Sequence, residues 1–597
     1  MSNDFVRRYL KKFWQTIKDH YIIISIILAA FFVRFYGIYF DYPYRAEYIW
    51  DEFYQMKYLL NAIEVKSLFA ESSGDPILLA FLYFPILVFR IIYIALREGI
   101  YNLNELKGYL VENGLGQIYI IIRWYSVFFG TATVYLIYRI YKLIFKHKLS
   151  YYYSALVYSF SLIPVLLSHW GKTHSAIVFF LVLSLFFIIR FEKEGKIKYF
   201  YWSVAAAACS LSVHILGLSA IIFPLSGFIF NRFDIFNKRD ISARDVDPLG
   251  FKSKKIIYNK ILIKSFLLFT SIITISYVFI IRDYLNYLIS EDIIKTIGGE
   301  RLYYVIQGSF NIEPIFISLF FIILAFNFKN FLQHRYFRYI IVGLLFNYFL
   351  MATIFALPMR SRLYLTFITL SVPLAAGYLI ELLYSYNKKI KRKKIGMILM
   401  YILAVLLILP SILLSIHWLT LTTNNTEIQT VDWLQENLNK GEIIYSFDNI
   451  LLGPFSYEAA LWHKENNKVD ESVKINFILD HKNDFAGRGL NLRYDFDNNR
   501  YEKLGGQGTK YIIIYYWFTE KIIENHPGRL KKEAAYETLE NIEKYHNIKL
   551  VKTFFPTHDK ELIEMGIMDY LNNPLSWRVL WKLEKSGPFI EIYEVLN

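Results

Sequence analysis

Apolar runs of about 20 residues, the length a membrane helix needs, recur along the first two thirds of this chain. They lie near 21–40, 117–142, 150–169, 173–190, 199–231, 260–281, 313–328, 338–357, 363–386 and 395–417. The 199–231 run is long enough for a tight pair of helices broken near His214 to Gly217, which brings the expectation to about eleven spans. Lysine and arginine collect in alternate connections: the N-terminus, Lys142 to Lys148, Arg190 to Lys198, Asn231 to Lys260, Lys329 to Arg338, and Lys388 to Lys394. Cytoplasmic loops carry that bias, so the N-terminus is expected inside. An odd number of crossings then leaves the C-terminal part outside.

The apolar stretch Pro76 to Leu96 is long enough to cross, yet a crossing there would put every later basic loop on the wrong side. Residues 41–116 are therefore read as one external loop, in which 76–96 is a helix lying at the membrane interface with Arg90 toward the headgroups. The alternative is a true span there, compensated by a single helix at 199–231.

After Trp418 the pattern changes to that of a water-soluble domain. Short β-type runs (Glu442 to Phe447, Lys510 to Trp517, Phe589 to Val595) alternate with amphipathic helical stretches (Glu458 to Asn466, Lys532 to Tyr545). Alternation of this kind predicts a small α/β domain. The fold class expected is thus a polytopic α-helical membrane protein, residues 1–417, followed by an extracytoplasmic α/β domain, residues 418–597. Gly505-Gly506-Gln507-Gly508 precedes a strand rather than following one and opening a helix, so it reads as a turn and not as a phosphate cradle.

Composition fits this picture. Of the 597 residues 55% are hydrophobic and 19% aromatic, and the mean hydropathy is +0.31, more apolar surface than a soluble core hides. The formal charge of +15 suits nucleic acid or a membrane surface. Its placement in short loops between apolar runs favours the membrane and disfavours nucleic acid. The single cysteine, Cys209, lies within an apolar run and excludes a disulfide framework. Arg7, Arg8, Lys11 and Lys12 lead into the first run without a small-residue cleavage site, the pattern of a retained helix rather than a signal peptide.

Three constellations offer chemistry on the expected outer face. The first external loop carries Asp51-Glu52, beginning a helical stretch. Adjacent carboxylates there point in different directions, so one can take a proton from a hydroxyl while the other positions a second group; two acids at a helix start also answer the helix dipole. The second is Ser168-His169-Trp170-Gly171-Lys172-Thr173-His174, in a turn between spans. Two histidines and a lysine so close together suit an anionic headgroup or phosphate, or an aromatic belt with snorkelling cations. Five-residue separation of His169 and His174 does not suit a zinc pair. The third is Arg360-Ser361-Arg362, joined by Arg123 at the start of the second span. Arginines placed against the topological bias suit bidentate recognition of phosphate, or a local pair with an acid.

The order of these features resembles the GT-C superfamily of membrane glycosyltransferases, in particular its protein mannosyltransferase and aminoarabinose transferase branch. The resemblance rests on one helix, then a large loop with Asp51-Glu52, then the stretch from Arg123 to Arg139. The hairpin ending Ser168 to His174, a phenylalanine-rich span closing on Arg190, and a late Arg362-Leu-Tyr complete it. It covers about residues 20–390 and implies transfer of a sugar from a polyprenyl-phosphate donor to a lipid, glycan or protein acceptor, with inversion at the anomeric carbon. It further implies that Asp51 is the base, with Glu52 beside it. Arg123, His169, Lys172, His174, Arg360 and Arg362 are left to hold the lipid phosphate. The family often has an acidic residue where His174 stands, which leaves the substrate and any use of a divalent metal open. The Trp-Trp-Asp signature of oligosaccharyltransferases is absent. A transporter or flippase of lipid-linked sugars, which would show internal repeats, and a scaffold whose outer domain does the work are the rival readings.

Overall fold

In the computed structural model the chain is described over residues 20–38, 78–102, 105–106, 109, 116–171, 173–237, 248–277, 300–353, 361–388 and 393–437. In the C-terminal part the described residues are 443–446, 474–478, 490–493, 509–516, 540, 543–544, 546–559, 577–587 and 589–596. It divides into two compact units. One comprises Met1–Phe35, Lys57–Leu82 and Tyr125–Ser415, the other Tyr36–Met56, Tyr83–Trp124 and Ile416–Asn597.

The apolar runs are helical. They form α1 (His20–Phe35), α2 (Leu78–Glu98), α3 (Gly116–Ile144), α4 (Lys148–Ser159), α5 (Leu162–Ser168), α6 (His174–Glu194) and α7 (Ile197–Val213). Then follow α8 (Ile222–Asn237), α9 (Pro248–Tyr277), α10 (Glu300–Ile312), α11 (Pro314–Gln333), α12 (Phe337–Thr353), α13 (Ser361–Asn387) and α14 (Lys393–Thr422). Among the described residues seven helices are long and apolar enough to cross a membrane, or up to eight if the bent pair α4–α5 counts as one; α1 and parts of α8 and α12 are shorter apolar helices. By length and composition α2 passes the same test.

Two of the expected spans are broken. The 199–231 run divides where its sequence suggests: α7 ends at Val213, and a 3-10 segment, Ile215–Ile221, leads into α8. The 150–169 run, expected to be continuous, bends by 52° between α4 and α5.

Lipid-type outer faces and buried helix contacts explain the packing. On α14, Ile398, Leu399, Val405 and Leu406 are each about 60% exposed, a surface suited to hydrocarbon rather than water. The buried faces knit α6 to α7 and α4 to α13. Small groups set the closest approaches: Ser184 and Ser203 exchange hydroxyl hydrogen bonds between α6 and α7, as helix interfaces in lipid favour. Gly195, at φ +68°, ends α6 with its N–H on Phe191 O, the left-handed close that glycine permits. Just before it, the buried Glu192 accepts from Tyr339 Oη at 2.7 Å and pairs with Arg335 and Arg338, tying α6 to the start of α12.

The second unit contains α15 (Thr426–Asn437) and a six-stranded mixed sheet in the order β3-β2-β1-β4-β6-β5. The strands are β1 (Ile443–Ser446), β2 (Lys474–Ile478), β3 (Leu490–Arg493), β4 (Thr509–Tyr516), β5 (Asn547–Phe554) and β6 (Phe589–Leu596), with the short helix α16 (Trp577–Lys582) between the last two. Only β1 and β4 run parallel; the other pairs are antiparallel, and β5 carries a bulge at Leu550/Lys552 against β6. Strands β1, β4 and β6 stand where the alternating pattern put them. The stretch Glu458 to Asn466 and most of Lys532 to Tyr545 lie outside the described residues.

Candidate active site

Of the residues singled out in the sequence, Asp51, Glu52, Lys172 and Arg360 lie outside the described residues; Arg362 is on the first turn of α13, and its side chain also lies outside them. Arg123, His169 and His174 are described, and all three are buried.

The corner between α5 and α6 brings the two histidines together. His169 is the C-cap of α5 and His174 the first residue of α6. His169 Nε2 lies 3.0 Å from Val33 O on α1; a carbonyl only accepts, so the imidazole carries its proton on Nε2 and donates. The ring is fully buried. It ties α1 to the corner. His174 Nδ1 lies 3.5 Å from Thr173 Oγ1. Ser168 Oγ donates to Pro164 O at 2.6 Å and lies 3.4 Å from Ser175 Oγ. On α3 a Cβ added at Gly130 would collide with Ser168 Oγ and meet Arg34 Nε at 3.0 Å, so only glycine lets these groups approach. Arg123, also on α3, donates from Nη1 to Ile38 O at 2.9 Å.

Two charges not singled out in the sequence flank the break below this corner. Arg34 on α1 is fully buried and donates from Nη1 to Ala30 O and Ser159 O, and from Nη2 to Tyr158 O. Glu313, between α10 and α11, is 3% exposed. Its Oε1 accepts from Ser161 Oγ at 2.7 Å and Leu162 N at 3.1 Å, its Oε2 from Ser411 Oγ at 3.1 Å. A charge inside an apolar run is costly and marks function or structure; that was the available signal for Arg34, inside the 21–40 run, and for Glu313, at the edge of 313–328. Among the described residues no group of three His, Cys, Asp or Glu side chains is placed to hold a metal ion.

These helices and the terminal sheet define a polytopic α-helical membrane protein with a C-terminal α/β domain. Residues 115–239, from the start of α3 to the end of α8, match the family described as dolichyl-phosphate-mannose-protein mannosyltransferase. The resemblance to the GT-C superfamily and its protein mannosyltransferase branch therefore holds over that segment. No curated relative matches. Among solved structures, an oligosaccharyltransferase from Archaeoglobus fulgidus in complex with Zn and sulfate is similar at 9% identity and a TM-score of 0.42, over 96% of this chain and 88% of that one. ArnT from Cupriavidus metallidurans bound to undecaprenyl phosphate is similar at 8% identity and a TM-score of 0.42, over 86% of this chain and 95% of that one. The A. fulgidus oligosaccharyltransferase AglB in complex with an inhibitory peptide and a dolichol-phosphate gives 9% identity and a TM-score of 0.41, over 90% of this chain and 74% of that one.

Proposed function

We propose that this protein transfers a sugar from a polyprenyl-phosphate-linked donor to a lipid, glycan or protein acceptor on the extracytoplasmic face of the membrane, with inversion at the anomeric carbon. The match of residues 115–239 to the mannosyltransferase family carries this reading. It is supported by the Asp51-Glu52 pair ahead of that segment, by the arginines placed against the topological bias and by the His169 to His174 cluster.

In the reaction, Asp51 takes the proton of the acceptor hydroxyl as its oxygen attacks the anomeric carbon, with Glu52 positioning a neighbouring group. The bond from that carbon to phosphate breaks, and the lipid phosphate leaves as an anion. It needs positive charge and no proton, which Arg123, Lys172, His174, Arg360 and Arg362 supply. His169 orients the corner through Val33. Residues 1–417 form the catalytic part, with the N-terminus cytoplasmic and α2 at the outer interface; residues 418–597 face outward and present the acceptor.

The test is sugar transfer from a labelled polyprenyl-phosphate sugar by membranes containing wild type or Asp51→Asn, with folding monitored by detergent-solubilised yield. The folded variant is expected to lose about 10²- to 10⁴-fold in rate. Normal transfer by the variant would remove Asp51 from the chemistry. A chelator added to the wild-type assay decides whether a divalent metal takes part.

A further inference from the structure

We infer that Arg34 and Glu313 are positioning residues that hold the broken α4–α5 span open from opposite sides of the break and thereby set the place of the His169–His174 corner; its bearing on catalysis rests on the function proposed above. The argument begins with what a break costs. Helix ends leave carbonyls without partners at the C-terminus and N–H groups at the N-terminus, and hydrocarbon supplies no water to satisfy them.

Each side of this break is answered by a different charge. At the end of α4, Tyr158 O and Ser159 O accept from the Arg34 guanidinium at 3.4 and 3.0 Å, and Phe160 O accepts from Ser415 Oγ at 2.7 Å. At the start of α5 the N-cap residue Ser161 makes no side-chain cap of its own. Glu313 caps instead, taking both the Leu162 N–H and the Ser161 hydroxyl. A guanidinium thus faces the carbonyl end of one half-helix and a carboxyl group the N–H end of the next, each supplying the hydrogen-bonding group that end lacks. Among the described residues Arg34 has no carboxylate partner and Glu313 no cationic one, so the two are held by the backbone ends and not by each other.

The hold extends to the corner because α5 is only seven residues long. Glu313 fixes its first turn. His169, at its last, is fixed to Val33, the residue beside Arg34. Adjacent residues of α1 thus grip the last turn of α4, through Arg34, and the end of α5, through Val33, and Gly130 gives Arg34 and Ser168 the room to close up. A shift of either group moves His174 with the corner.

The full-length protein in nanodiscs is compared as wild type, Glu313→Gln, Arg34→Lys, Arg34→Gln and the swapped pair Arg34→Glu/Glu313→Arg. Hydrogen–deuterium exchange of peptides covering 160–176 reads the hold directly; kcat and KM for a labelled polyprenyl-phosphate sugar read its consequence. Glu313→Gln and Arg34→Gln are expected to raise exchange in 160–176 more than in α6 and α7. They are expected to lower kcat about ten- to a hundredfold, as misplaced catalytic groups do, with KM changing far less. Arg34→Lys recovers part of the loss. The swapped pair recovers none, because each charge then faces the wrong helix end; recovery by the swap would show a direct ion pair and overturn the inference. Unchanged exchange in 160–176, or a lowered folded yield with normal kcat per folded molecule, would overturn it too. A wild type that transfers no sugar defeats the proposed function, while the exchange data still decide whether the two charges hold the break.

Discussion

The two broken spans solve the same problem by opposite means. At the α7 break the remedy is local: the His214 side chain accepts from Leu216 N at 3.1 Å, and Gly217 N donates back to His214 O at 2.8 Å. Gly217 also lets the chain fold back on α7, since a Cβ there would collide with Ser210 O. At the α4–α5 break the remedy comes from elsewhere in the chain, from Arg34, Glu313, Ser411 and Ser415. The start of α4 repeats the device: its N-cap His147 makes no side-chain cap, and Glu381 of α13 accepts from His147 N at 3.2 Å and Ser150 Oγ at 2.8 Å. A local break keeps its shape by itself. A break capped from afar keeps it only while its neighbours are in place, and so couples the corner to α1, α11 and α14.

The contrast can be broken most severely at Glu313. Glu313→Ala leaves one buried N–H and two hydroxyls without an acceptor, an expected loss of about 3 kcal/mol, read as a lower thermal midpoint in detergent. Gly217→Ala is expected to cost about 2 kcal/mol through the forced shift against Ser210 O; a wild-type midpoint would mean that this break has slack. His214→Ala removes only a cap, about 1 kcal/mol, because Gly217 keeps its backbone bond; an effect as large as that of Glu313→Ala would erase the distinction between local and distant capping.

The smallest effect is on pH. Burial lowers the affinity of the His147 imidazole for its proton, with Lys388 acting the same way and Glu381 opposing. The folded state then binds fewer protons than the unfolded one, so this contribution is complete above the ordinary histidine value of about 6.5 and is lost as pH falls below it. Midpoints of wild type measured between about pH 7 and 5.5 should fall more steeply than those of His147→Gln; parallel curves would exclude His147 as a source.

What was legible in the sequence follows the same division. The α7 break showed itself because its remedy is written within a few residues, at His214 and Gly217. The α4–α5 break left one local sign, Pro164 in the first turn of α5, where proline is tolerated; its caps lie more than a hundred residues away and follow no spacing rule. Strands β1, β4 and β6 were visible as apolar alternation, whereas β2 and β3 are four to five residues long and β5 shows an irregular exposure pattern around its bulge. Of the candidate site, the turn from His169 to His174 was legible as a cluster, whereas the contact of His169 with a backbone carbonyl on α1 has no signature in a sequence.

The bulge in β5 has a consequence for the protein in a crowded setting. Among the described strands β5 is outermost on its side, and an outer strand offers backbone donors and acceptors that another chain's strand would pair with. The irregular register at Leu550/Lys552 and the charges of Lys549 and Lys552 make that edge a poor template, so the sheet resists being lengthened by a neighbour.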